Sequence, residues 1–328
     1  MFNLIVTNGD SGAERMRDAG IGDEILVWKD MLHEGPVPLT SNTSTLTNLR
    51  ANFLTTIAPG RKVAAELYQR DRMLAGSGLF KEVVLWFEHD LYDQLQLLQV
   101  LSQLGQRTFK DTQITMVSVP QYVGNLVPDE ALTAFATRAQ VGEAQYELAE
   151  KAWSAFRSPT PQALLDLLQT DELSALPFLE AALWRLLEEY PGADGLARSH
   201  RQILQALKAG GGTFPARELY RRSHHEMEDP VWLGDWPFAM RLQMMSRCKK
   251  PSLKLTPKEP SHQHPETDGP YETELNSDVE LTEVGAELLE GKADFIKENG
   301  IDRWLGGVHL TRDNLWRWDA SSKSVKKE

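Results

Sequence analysis

Ionisable and amide side chains follow three short apolar runs of this chain at matching places. Asn8, Gly9, Asp10 and Ser11 come directly after residues 3–7. Asp30 and His33 follow residues 24–28, and Glu88, His89 and Asp90 close residues 82–87, with Asp93 and Gln94 a few positions further on. Carboxylates and imidazoles in one place support two chemistries. They offer hard oxygen and imidazole ligands to a divalent metal such as Mg, Mn or Zn. They also make an acid/base pair, with His33 or His89 titrating near neutrality and an acid orienting it. Asp10, Asp30, His33, Glu88, His89 and Asp90 are therefore the candidate catalytic residues. Asn8, Gly9, Ser11, Asp93 and Gln94 are candidate ligand contacts.

Plainer roles compete for the same residues. Asp10 and Asp90 each precede a helical pattern and suit an N-cap. His89 suits a hydrogen-bonded strand end, and Gly35-Pro36-Val37-Pro38 reads as a rigid turn. The Gly9 and Gly12 turn offers a phosphate cradle at a helix start, without the glycine spacing of a dinucleotide fold or the Gly-Lys-Ser/Thr of a P-loop. Gly9-Asp10-Ser11 resembles the opening block of the GDS-type esterases, whose serine is the nucleophile. The Asp-x-x-His pair that those enzymes carry late in the fold has no counterpart late in this sequence.

Strand and helix signals alternate through the first 120 residues, with strands expected at 3–7, 24–28, 82–87 and 113–119 and helices between them. That order predicts an α/β fold with an open, parallel, Rossmann-like sheet. Parallel strands end on one rim, so all the candidate residues would leave the sheet at its carboxyl edge, where ligands bind in such folds. We expect a ligand or catalytic domain over 1–125 and a helical connector over 126–195. Apolar residues recur there at helical spacing, and Trp153 and Trp184 are read as core.

Residues 196–254 carry +6 while the rest of the chain carries −18, which marks a separate module. Three short helices and a two-stranded wing predict a winged helix-turn-helix-like domain over 196–294. In a nucleic-acid reading its helix 237–247 would be the recognition helix, with Arg241, Arg247 and Lys249 as contacts. Between the wing strands, residues 257–277 read as a loop, with His262 and His264 at its surface. A Trp-rich segment over 295–328 reads as a docking clasp; there His309 and Arg317 are further candidate ligand contacts, the arginine as an anion clamp.

With 328 residues, 41% hydrophobic and 25% charged, the chain has the composition of a globular protein with a sizeable core. Its single cysteine, Cys248, excludes an internal disulfide and a Cys-based metal cluster. No apolar run reaches the length of a membrane span, and the start lacks a basic secretion signal, so a cytoplasmic protein without a membrane partner is expected. The net charge of −12 argues against nucleic-acid binding by the chain as a whole.

Several motifs occur together in order: Thr7-Asn8-Gly9-Asp10-Ser11, Trp28-Lys29-Asp30 with His33-Glu34-Gly35-Pro36, Leu85-Trp86-Phe87-Glu88-His89-Asp90, Asp302-Arg303-Trp304-Leu305-Gly306-Gly307, and Trp316-Arg317-Trp318. In these the chain resembles the bacterial family catalogued as domain of unknown function 1835. The resemblance spans most of the chain and implies neither an activity nor a catalytic residue. From the residues alone, the leading expectation is a metal-assisted hydrolase or a phosphoryl or nucleotidyl transferase acting on a small ligand. The alternatives are a ligand-responsive DNA-binding regulator, using 196–294, and a non-catalytic scaffold.

Overall fold

Four runs of β-branched and aliphatic residues pair side by side to form the first sheet. They are β1 (Asn3–Thr7), β2 (Glu24–Val27), β3 (Glu82–Trp86) and β4 (Gln113–Val117). The computed structural model describes residues 2–40, 42–59, 61–258 and 271–328. Between the strands lie α1 (Asp10–Asp18), α2 (Thr43–Ile57), α3 (Val63–Ala75) and α4 (Leu91–Gly105). After β4 come α5 (Pro128–Ala136), β5 (Ala139–Gln140), α6 (Glu143–Phe156), α7 (Gln162–Thr170) and α8 (Leu179–Leu187).

Strand order in this sheet is β2-β1-β3-β4-β5. The first four strands are parallel, as their alternation with helices predicts, and β5 adds an antiparallel edge. That edge strand was not expected in a stretch read as helical throughout, because two residues carry no period. The inner strands are buried along almost their whole length, as parallel strands covered on both faces must be. Because β1 leads outward to β2 and β3 leads the other way to β4, the connections diverge between β1 and β3. In an open α/β sheet that divergence leaves a crevice at the carboxyl ends of the two strands.

The chain divides into two compact units. The first comprises 1–55, 60–185 and 306–308; the second comprises 56–59, 186–305 and 309–328. In the second, α9 (Arg198–Ala209), β6 (Thr213–Pro215), α10 (Ala216–Tyr220), α11 (Asp235–Ser246), β7 (Leu253–Pro257), α12 (Glu272–Leu275) and β8 (Ser277–Leu281) follow one another. They form a three-stranded antiparallel sheet of order β6-β8-β7 with helices around it, where the sequence led us to expect only two strands. β6 was missed because three residues that follow a glycine run and end on a proline give no alternation to read. Part of the expected 257–277 loop is α12, while His262 and His264 lie outside the described residues. After β8 come α13 (Glu283–Leu289), α14 (Phe295–Asn299) and the hairpin strands β9 (Arg303–Leu305), β10 (Val308–Leu310), β11 (Trp316–Asp319) and β12 (Ser324–Lys327). Among the described residues no helix is long and apolar enough to cross a membrane.

Candidate functional site

At the carboxyl ends of β1 and β3, three acids come together. Glu88, Asp90 and Asp93 each offer an oxygen such that the three lie within 4.8 Å of one another, and all three residues are buried. The local sequence fixes each in turn. β3 ends at Trp86 and the chain reaches α4 through Phe87-Glu88-His89-Asp90. Asp90 is the N-cap of α4 and accepts from the Asp93 backbone N–H at 3.0 Å. Asp93, on the first turn, returns an oxygen to the Glu88 backbone N–H at 2.7 Å. Gln94 holds the same turn by donating to the Glu88 carbonyl at 2.7 Å. Glu88 accepts from the Val123 N–H at 2.7 Å, and Asn8, just past β1, donates its amide to Asp93. β1, β3, α4 and the short turn at Val123–Asn125 therefore meet on three carboxyl groups.

The charges of this cluster are compensated only in part. Burial raises the proton affinity of all three acids, opposed in part by the backbone donors. The neighbouring acids raise it further at Asp90 and Asp93. Among the described residues, no lysine, arginine or histidine forms an ion pair with any of the three. Buried like charges without a counter-charge favour either a bound proton or a bound cation.

Asp30 is the opposite case. It is equally buried, yet the Arg50 guanidinium meets it through Nη2 at 2.7 Å and Nε at 3.0 Å, and Arg70 Nη1 stands 3.8 Å away. Arg50 also donates to the carbonyls of Met31, Glu34 and Pro36 at 2.9, 2.7 and 3.3 Å, which ties down the whole segment after β2. Arg70 lies 4.0 Å over the Trp28 ring, and the Trp28 indole donates to Gln99 at 2.9 Å. A carboxylate so fully committed is a structural anchor. His33 is carried by the same segment; it is buried with its ring edge-on to Tyr92, 5.7 Å between centroids.

The remaining expected residues are not part of the three-acid cluster. Asp10 stands on the first turn of α1, exposed, with Lys29 Nζ at 2.6 Å; the N-cap there is Gly9, not Asp10. Gly9 has φ 52°, a conformation that glycine takes without strain. Ser11 is exposed, and among the described residues no histidine bonds it. His89 is half-buried against the rings of Tyr122 and Phe178, at 4.9 and 5.8 Å. In the second unit His309 pairs with Asp302 at 2.7 Å and stacks flat on Trp304 at 4.3 Å. Arg317 is spent on Asp294 at 2.8 Å, the Gly192 carbonyl at 2.8 Å and Glu328, so the anion clamp expected of it is already occupied.

One expected nucleic-acid contact needs correction. Arg241 is not on a surface: it is buried, donating to Glu189 at 3.0 Å, Ser199 at 2.8 Å and the Pro237 carbonyl at 2.9 Å. The helix that carries it turns this residue inward. Arg247 pairs with Glu274 at 2.8 Å, and Lys249 is exposed, with no ion pair among the described residues.

Sequence reasoning missed Arg50 and Arg70, because an arginine inside a helical pattern is indistinguishable from a surface one. It also missed the Val123 turn, whose N–H bears no side-chain signal. No family model matches the chain, and no curated protein matches it.

Proposed function

We propose that the first unit binds a divalent cation through Glu88, Asp90 and Asp93 and uses it to act on a small ligand in the β1/β3 crevice. The observation that carries this reading is the burial of three converging carboxyl groups with no cationic partner among the described residues, in a unit that neutralises the equally buried Asp30 with arginine. An all-oxygen donor set suits Mg, Mn or Ca better than Zn. A cation there would polarise a phosphoryl or carbonyl oxygen, the chemistry of a metal-assisted hydrolase or of a phosphoryl or nucleotidyl transferase. His89 and Asn8 flank the site, Asn8 as the amide that orients Asp93. Membership of the domain of unknown function 1835 family and a cytoplasmic location are part of this proposal, resting on the shared motifs and the composition.

The test is binding before activity. The full-length protein, stripped with chelator, should melt at a higher temperature in Mg or Mn, and Asp90→Asn and Asp93→Asn should each remove that shift. A wild-type protein that shows no cation-dependent shift, and no heat of binding in titration calorimetry, would sink the reading.

A second reading, a nucleic-acid module in the second unit, draws on its element order. Helix, strand, two helices and two strands, with the first strand joining the sheet and the short α12 between the last two, resembles the order of a winged helix. The burial of Arg241 and the ion pairing of its neighbours count against nucleic acid as the partner of that module.

A further inference from the structure

We infer that the anionic end of the ligand is a phosphoryl group bound at the amino terminus of α1, held by the first-turn N–H groups, the Thr7 hydroxyl and Lys29. The inference rests on the reading of the three acids as a cation site and adds the substrate's anionic subsite to it. α1 runs for nine residues behind Gly9, an N-cap that has no side chain to offer, and its first N–H groups have no intrahelical acceptor. Such an end attracts anions but is common. Beneath this one stands a buried hydroxyl. Thr7, the last residue of β1, is completely buried, and its Oγ1 has no hydrogen-bond partner among the described residues. It faces the first turn of α1, 3.7 Å from the point where a Cβ on Gly12 would stand, with Asn8 Oδ1 3.6 Å from the same point.

A buried donor left unmade costs about 1–3 kcal/mol, so this hydroxyl calls for a partner. An oxygen docked on the α1 terminus would satisfy it. Lys29, just past β2, leans to the same terminus, where it pairs with exposed Asp10. An exposed pair of this kind contributes little and can be exchanged for a phosphoryl oxygen. Asn8 links the two halves: it follows Thr7 directly and its amide reaches Asp93, so an anion on α1 and a cation on the acids would be neighbours in the crevice. A metal-bound di- or triphosphate is the ligand class with that charge pattern.

The experiment uses the full-length protein, Mg and pyrophosphate as the probe, with inorganic phosphate and acetate alongside. Wild type should bind pyrophosphate in the presence of Mg and bind acetate far more weakly. Thr7→Val should leave the ligand-free melting temperature unchanged or raised and Mg affinity intact, while weakening pyrophosphate about tenfold, the equivalent of one hydrogen bond. Lys29→Gln should weaken it by a similar factor without touching Mg. Mg binding without pyrophosphate binding, or pyrophosphate affinity unmoved in both variants, overturns the inference alone. So does a Thr7→Val protein that melts lower without ligand, since the hydroxyl is then satisfied by buried water. Absence of Mg binding brings down the cation reading itself and the inference with it.

Discussion

Three aspartates after strands or at helix starts look alike in sequence and differ in what surrounds them. Asp10 is exposed beside Lys29, so Asp10→Asn should change stability by less than about 1 kcal/mol. Asp30 is locked to Arg50, and Asp30→Asn should cost about 3–5 kcal/mol by leaving a buried guanidinium unpaired. Asp90 goes the other way. Asparagine still accepts the Asp93 N–H as a cap, while one of three crowded charges is lost. Asp90→Asn should therefore leave the cation-free protein as stable as wild type or more so. Urea unfolding of the three variants in chelator gives the order directly, and a large loss in Asp90→Asn would mark that residue as merely structural. The sequence could place these residues on one rim because strand ends are local features. It could not say which acid meets an arginine twenty residues away, as Asp30 meets Arg50, because that pairing depends on how α2 docks.

The elements themselves were legible where their period is long. β1 to β4 and α1 to α4 lie within a few residues of where the apolar pattern puts them, whereas β5 and β6, two and three residues long, left no pattern. The segment after β2 shows how one backbone position can carry an element. Gly35 has φ 74°, and a Cβ there would stand 2.5 Å from the Phe53 ring. Gly35→Ala should destabilise the protein by about 2–4 kcal/mol, combining backbone strain with overpacking. Thermal unfolding checks this, and a loss under half a kcal/mol would mean that the segment relaxes freely. In α9, His200 is fully buried, and burial followed by the charges of Arg303 and Arg241 holds its proton affinity well below the usual imidazole range. The folded protein keeps it neutral, so above pH ~6.5 it contributes no pH dependence. As pH falls below that, the unfolded chain takes up a proton that the folded one refuses, and stability drops. His200→Gln should flatten the melting temperature between pH 7.5 and 5 relative to wild type; parallel curves would refute it.

At the scale of the whole molecule, charge was the sequence signal that misled most. Residues 196–254 look strongly basic because a window counts neighbours in sequence, but salt bridges join neighbours in space. Arg198 meets Glu188 and Glu228, Arg201 meets Asp194, Lys208 meets Glu290, Arg217 meets Glu272, Arg247 meets Glu274 and Lys250 meets Glu298. Apart from Glu228 the acids in those pairs lie outside the window. Arg221 and Arg222 converge on Glu218 inside it, pulling that carboxyl down to about 2 through their hydrogen bonds. A surface that binds nucleic acid must present cations free to displace counterions from phosphates, and the slope of affinity against salt counts them. With its cations engaged by acids, this segment offers few. The full-length protein should therefore show little affinity for duplex DNA in fluorescence anisotropy even at 50 mM salt, and Lys249→Ala should change nothing. Tight binding whose logarithm falls with a slope of several units against log salt would reverse this, showing that the acids release their partners when DNA arrives and restoring the second unit as a reader of nucleic acid.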